Sequence, residues 1–287
     1  MPVFEQSYPR WSPTERTRVR WLPIVRRELE MLLAQRAFKA LLVVCALPAL
    51  FHLLQLYSVH ELASDPQGEL GRALRHIQLT IDARFFFQFL QLQTYFVFVL
   101  LLYASSGLVC DDIRLNLAEV YFSKPLTRRD YILGKVVTVL GLGLLYTVIP
   151  ALFLWVAHHA MSPASPVEWR IPLASALFSL VIVVPTGLGT LACSALTASR
   201  GFAAAAVIAL LAADAFVASL LAEILTRREV HLVNLAAAIE RVGEGLFGVE
   251  RYIPVAAPLA LVVPLAVAAG GLLVLRRRIG AVEVGAR

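Results

Sequence analysis

The sequence predicts an all-α integral membrane protein with six transmembrane helices. Hydrophobic residues make up 59% of the chain and charged residues 16%, whereas soluble domains carry about 25% charged residues. Six apolar runs are each long enough to cross a hydrocarbon core, which requires about 20 helical residues. The predicted spans are residues 38–57, 85–109, 132–157, 171–196, 203–225 and 254–275.

The segment before the first span is predicted to hold an amphipathic helix. Apolar side chains recur there at helical spacing, and the charged residues, Glu28 among them, are expected mostly on other faces. The apolar residues are Leu22, Val25, Leu29, Leu32 and Leu33. A helix lying flat on the inner leaflet fits this pattern, and the alternative is a straight extension of the first span. The polar segment is too long for a cleavable signal peptide, so we expect the first span to stay as an anchor.

The Lys and Arg residues predict the orientation. With the N-terminus inside and six spans, 18 of the 26 basic residues fall in inner segments and 8 in outer ones. We therefore expect a multi-pass protein of the plasma (inner) membrane with both termini in the cytoplasm. Residues 1–36 would be a cytoplasmic segment, residues 37–275 the transmembrane domain and residues 276–287 a basic cytoplasmic tail. The net charge of +6 follows from this topology and requires no nucleic-acid partner.

Two outer segments, residues 58–84 and 226–253, are longer than tight turns. Apolar residues at helical spacing in both predict short helices at the outer surface. Neither segment is large enough to form a binding domain.

Three polar residues inside the spans are candidates for a translocation path. Asp214 lies in the middle of span five, where a carboxylate costs roughly 2.5–3.5 kcal/mol on insertion scales. Gln88 and Gln91 share one face of span two. Each of the three has an alternative interpretation as a hydrogen-bonding residue between helices, and Asp214 has a further one as a proton carrier.

The sequence carries no catalytic or metal-binding motif. Gly134-Lys135 is followed by Val136 rather than Ser or Thr, and Arg129 stands where a phosphate-binding loop needs its first glycine. His158-His159 has no carboxylate or cysteine at ligand spacing. We expect no enzyme activity, no metal site and no bound cofactor, and we interpret the three cysteines as small buried residues.

The inner connection from Cys110 to Lys135, CDDIRLNLAEVYFSKPLTRRDYILGK, is charged and patterned. Asp111 or Asp112 is placed to cap a short helix, Pro125 to end it, and Thr127 with Asp130 to begin the next. The apolar ridge of the short helix would be Ile113, Leu117 and Val120, with Arg114 and Glu119 facing outward. This is the long inner loop of the chain, which predicts contact with a cytoplasmic partner.

This loop resembles the loop between spans two and three of ABC-2-type ABC transporter permeases. In that family a run of the form S-[KR]-P-[LV]-x-R-x-x-[YF]-x-x-G-K follows an acidic pair. The matching residues are Ser123, Lys124, Pro125, Leu126, Arg128, Tyr131, Gly134 and Lys135. With the six spans and the N-terminal helix, the resemblance covers nearly the whole chain.

The resemblance implies a membrane-spanning subunit that pairs with a second permease copy, as a homodimer or heterodimer, and binds two ABC ATPase subunits. ATP and Mg would then be bound by the ATPase, and substrate export by alternating access would follow from movement of a coupling helix in the loop. The predicted ATPase-coupling residues are Asp111, Asp112, Ile113, Arg114, Leu117, Glu119, Val120, Lys124, Pro125, Arg128, Arg129 and Tyr131. The alternative is a proton-coupled secondary transporter that uses Asp214. No residue specifies the substrate.

Overall fold

The computed structural model describes residues 19–64, 81–115, 117, 126–162, 168–225, 228–249 and 255–285. Within these ranges the regular structure is helical and contains no strand. Six helices are long and apolar enough to cross a membrane: Arg36–Glu61, Ala83–Arg114, Arg128–Met161, Arg170–Leu196, Arg200–Leu225 and Ala257–Gly280. The predicted all-α fold, with six helices long and apolar enough to span a membrane, is confirmed for the described residues.

The helices follow one another with short connections in the described ranges. They are α1 Leu22–Ala34, α2 Arg36–Ser64, α3 Ala83–Ser106, α4 Cys110–Arg114, α5 Arg128–Met161, α6 Arg170–Leu196, α7 Arg200–Leu225, a 3₁₀ helix Arg228–Val233, α8 Leu235–Phe247, α9 Ala257–Ala260 and α10 Val262–Gly285.

Helix α6 is the centre of the bundle and packs against α3, α5, α7, α8 and α10. Glycines allow two of these close crossings. A methyl group at Gly143 would lie 2.5 Å from a methyl of Val183, and one at Gly271 would lie 2.7 Å from the carbonyl oxygen of Leu188. Small residues at helix crossings let backbones approach closely, which compensates for the lack of a hydrophobic driving force between helices in lipid.

Helix α1 is separate from α2 and is not an extension of it. Gln35 between them has an extended backbone (φ −82°, ψ 128°). The buried residues of α1 are Ile24, Val25, Glu28 and Leu32, while Leu22 and Leu33 are exposed. The expectation that Glu28 lies off the packed face is therefore wrong, because this face turns toward α5 and buries the glutamate.

One end of the bundle carries α1, α4, the starts of α2, α5 and α7 and the end of α10; we call it the basic face. The Tyr103 hydroxyl donates a hydrogen bond to Gln35 Oε1 (2.8 Å). Helix α5 begins with a capping box in which Thr127 and Asp130 satisfy each other's backbone N–H groups. The predicted start of span three is confirmed.

The segment after α7 turns back into the bundle. Asn234 caps α8, and its side chain lies beside Asp214, which is eleven residues, or about 16 Å of helix, before the end of α7. Eight residues of α8 are buried, and the helix ends at Gly248 in the left-handed conformation (φ 70°). The predicted helix is present, and the structure packs it into the bundle beside Asp214; its position relative to the outer membrane surface stays a prediction.

The other boundaries differ in smaller ways. Helix α2 continues to Ser64. The helix predicted in residues 58–84 was based on an apolar stripe of five residues, Leu70, Leu74, Ile77, Ile81 and Phe85, of which the first three lie outside the described residues. Helix α10 continues through Arg276 to Gly285 with Leu275 and Ile279 buried. The predicted basic tail thus begins inside a continuous helix.

Candidate functional site on the basic face

Lys135 is buried between two carboxylates that come from different parts of the chain. Its Nζ lies 2.5 Å from Glu28 Oε1 and 2.6 Å from Asp112 Oδ2. Lys135, Glu28 and Asp112 are only 2%, 3% and 6% exposed. The Tyr131 hydroxyl donates a hydrogen bond of 2.7 Å to Asp112 Oδ2. We call these four residues the Lys135 network, and it joins α1, α4 and α5.

The local sequence explains how the three elements meet. Tyr131 and Lys135 are four residues apart on α5 and so share one helix face. Gly134 gives α1 room to approach, since a methyl group there would lie 2.8 Å from Ile24 Cγ2. In the Gly134-Lys135 pair, the glycine therefore allows the helix contact and the lysine supplies the charge that holds it.

The acidic pair at the start of α4 acts through its side chains rather than as a helix cap. Val109 and Cys110 donate their backbone N–H groups to Ser194 Oγ on α6 (3.3 and 3.2 Å). The prediction that Asp111 or Asp112 caps this helix is wrong, because Ser194 occupies that position. Both carboxylates remain available for ion pairs.

The network places two carboxylates against one buried cation. Burial raises the pKa of the Glu28 carboxyl above its ordinary value, and attraction to Lys135 opposes that effect. The ring of Tyr131 lies under the ammonium group, with the Nζ 5.3 Å from the ring centroid. A charge buried in this way is stable only while its partners stay in place.

A second ion pair extends the connections to span five. Asp111 Oδ2 contacts Arg200 Nε at the start of α7, and Arg114 Nη2 lies 3.4 Å from Asp111 Oδ1. The Arg200 side chain is more than half exposed, so solvent screens this pair more than the Lys135 network. Adjacent carboxylates thus link α4 to α1 and α5 on one side and to α7 on the other.

A groove of about 140 Å³ lies beside the network, between α1, the end of α3 and the residues after α4. Met31 of α1, Tyr103 of α3, Leu115 and the half-buried Leu117 line it, and Arg200 stands at its edge. Ile113 instead packs against the hydrophobic core. The predicted ridge is therefore divided, with Ile113 turned toward the bundle and Leu117 on the groove.

The remaining predicted coupling residues have different positions. Arg128 and Arg129 are exposed in the first turn of α5, and Arg128 reaches the end of α10 near Gly280. Four predicted residues lie outside the described ranges: Glu119, Val120, Lys124 and Pro125.

The sequence did not reveal the contacts made by four other residues of the basic face: Glu28, Lys135, Arg200 and Ser194. Glu28 lies one helical turn from both Ile24 and Leu32. This spacing was the sequence signal that could have placed Glu28 on the packed face of α1.

The three predicted path residues do not line one common surface. Asp214 Oδ2 accepts hydrogen bonds from the Leu235 backbone N–H (2.9 Å) and Asn234 Nδ2 (3.1 Å). Gln91 Nε2 donates to Glu240 Oε1 (2.6 Å), whereas Gln88 is exposed. Asp214 on α7 and Gln91 on α3 thus both form hydrogen bonds that connect their helices to α8 and the residue that caps it.

Sequence analysis also missed Gln93, which is fully buried in α3. Its Nε2 donates to the carbonyl oxygens of Cys45 (3.0 Å) and Tyr146 (2.9 Å). This one side chain connects spans one, two and three. Among the described residues, no group of three or more His, Cys, Asp or Glu residues is placed to hold a metal ion.

No protein-family model matches this sequence, and no curated protein matches it significantly. The motif in residues 123–135 and the contacts around it are therefore the basis for a functional assignment.

Proposed function

We propose that this chain is the membrane-spanning permease subunit of an ABC transporter, whose ATP is hydrolysed by a separate polypeptide. The six apolar helices, the motif ending at Gly134-Lys135 and the lack of a phosphate-binding loop in the sequence support this proposal. The basic face would be cytoplasmic, with α1 at the inner membrane surface and the loop that follows α4 as the coupling segment.

The observation that carries the proposal is the Lys135 network. A loop that transmits the movement of an ATPase must be attached firmly to the helices that it moves. Here the first turn of the loop is attached to span three through Asp112 and Lys135, and to the N-terminal helix through Glu28. Removal of one partner from a buried ion pair typically costs about 3–5 kcal/mol, so α1, α4 and α5 are expected to move as one unit.

The mechanism follows from this attachment. ATP closes two ATPase subunits against each other, the loop after α4 moves with them, and α5 follows through Asp112 and Lys135. The Asp111–Arg200 pair carries part of the same movement to α7. Two permease copies then change which side of the membrane their shared path opens to, which exports the substrate. A two-fold pair of ATPases suits two permease copies.

The alternative function, proton-coupled transport through Asp214, has less support. The Asp214 carboxylate accepts the N–H groups at the start of α8, so its position has a sufficient structural explanation. The two functions differ in their energy source. Transport in vesicles driven by a proton gradient without ATP would favour the alternative, whereas strict dependence on ATP favours the ABC transporter.

The test of the proposal is purification of the full-length chain from its own host in mild detergent. We expect an ATPase with a phosphate-binding loop to co-purify at two copies per two permease copies, measured by native mass spectrometry. Leu117→Asp should release it, because Leu117 is half-buried on the groove and desolvated apolar contacts dominate binding.

Leu225→Asp provides the matched control. Leu225 is an exposed leucine at the end of α7 that is farthest from Arg200 and the groove. This variant should keep the ATPase. Retention of the ATPase by both variants would exclude the groove as a docking site. Absence of any such ATPase from the unmodified complex would contradict the proposed function itself.

A further inference from the structure

A cavity of about 300 Å³ lies among six helical elements. It is bounded by α3, α6, α7, the end of the 3₁₀ helix with the start of α8, and α10. Its wall is mostly apolar, with Phe98, Leu211, Val263 and Val267 among the lining residues. Its volume falls at the lower end of the range of small-molecule sites, and an apolar wall with few polar groups is typical of them.

Asp214 supplies the charge on this wall. Both hydrogen bonds that the carboxylate accepts from the described residues go to Oδ2, which leaves Oδ1 without a hydrogen-bond donor within the described part of the chain. The two hydroxyl groups on the wall donate to their own helix, Thr186 to Ile182 O and Thr190 to Gly187 O, so neither has a proton left to donate to a ligand. Among the described residues that line the cavity, Asp214 is the one acidic side chain, and its Oδ1 is the oxygen that has no donor.

The cavity reaches the surface of the bundle beside α7. Leu210 and Val233 line it and are both exposed. Because α7 is one of the six helices that can cross a membrane, this opening faces the hydrocarbon region in a membrane-inserted chain. A ligand that enters there must itself be largely apolar.

We propose that this cavity binds a compact apolar ligand that carries one ammonium group, with the ammonium donating to Asp214 Oδ1. Charge complementarity selects the cation, since a carboxylate in a poorly hydrated environment interacts strongly with an opposite charge. The apolar wall selects the rest of the ligand. Binding requires no ATPase, so its outcome is independent of the proposed coupling function.

The test uses tritiated 1-aminoadamantane, a rigid cage amine that is cationic at neutral pH, and its neutral isostere 1-adamantanol as competitor. Binding is measured by scintillation proximity on the purified full-length chain in nanodiscs. We expect the amine to bind at least about tenfold more tightly than the alcohol, as for a charge-assisted hydrogen bond. Equal binding of both compounds, or no binding of the amine, would overturn the proposal without any variant.

Two variants locate the site. Asp214→Asn keeps an oxygen that accepts the Leu235 N–H but removes the charge, and it should abolish the preference for the amine. Glu223→Gln removes a carboxylate from the same helix away from the cavity, so the preference should remain. Gly189→Met should weaken binding of both compounds, because a methyl group at Gly189 meets only Val267 Cγ1 at 3.7 Å and the longer side chain extends into the cavity. A preference that persists in Asp214→Asn would contradict the proposed contact.

Discussion

Replacement of Lys135 by methionine tests the central contact of the basic face. Methionine has a similar length but no charge, so Glu28 and Asp112 would stay buried without the cation that now lies 2.5 and 2.6 Å from them. Removal of one partner from a buried ion pair costs about 3–5 kcal/mol. At about 2–4 °C per kcal/mol for a chain of this size, Lys135→Met should lower the Tm by about 6 °C or more.

The assay is thermal unfolding of the purified chain in mild detergent, followed by tryptophan fluorescence. The triple variant Lys135→Met, Glu28→Gln, Asp112→Asn is the control, because neutral replacement of a whole buried network is often neutral or stabilising. It should recover most of the lost Tm. A Tm of Lys135→Met within about 1 °C of the unmodified chain would refute the claim that the network holds α1, α4 and α5 together.

Two further predictions concern pH and topology. Because the pKa of Glu28 is raised in the folded chain above its ordinary value of 4.5, the folded state holds a proton that the unfolded state releases. The contribution of Glu28 to the free energy of unfolding should therefore fall as pH rises from 4.5 through the pKa of the folded state. The Glu28→Gln variant should lose this pH dependence of stability. The same pH dependence in Glu28→Gln would show that another group causes it. Reporter fusions after residues 70 and 165 should report the outside of the cell, and fusions near residue 120 and at the C-terminus the cytoplasm. A fusion near residue 120 that reports outside would overturn the assigned orientation of the basic face.

The six spans could be predicted from sequence because their length and apolar composition are local properties. The start of α5 could be predicted for the same reason, since Thr127 and Asp130 form a capping box within four residues. Packing inside the membrane could not be predicted in this way. Exposed residues such as Leu210 and buried residues such as Phe178 are both apolar, so periodicity does not distinguish them.

The candidate site was predicted only in part, because its contacts join residues distant in sequence. Lys135 and Glu28 are 107 positions apart, and Asp111 and Arg200 are 89 apart. Each residue alone has an ordinary local interpretation, as a charge at the end of a span or on a surface helix. The burial of α8 has the same origin, because it depends on the meeting of Asp214 with Asn234 across a turn in the chain.

The length of α5 explains why this network can be buried without lying in the middle of the membrane. The helix has 34 residues, or about 51 Å, whereas the hydrocarbon core is about 30 Å thick. Lys135 lies seven residues, or about 10 Å, from the first residue of α5. With α5 centred in a bilayer, the network would lie near the level of the membrane surface, where an amphipathic helix such as the predicted α1 would lie. At that depth the charges avoid the full cost of the hydrocarbon core. They also attach α4 to α5, which is long enough to cross the hydrocarbon core; under the proposed function α5 would carry the movement of the loop across the membrane.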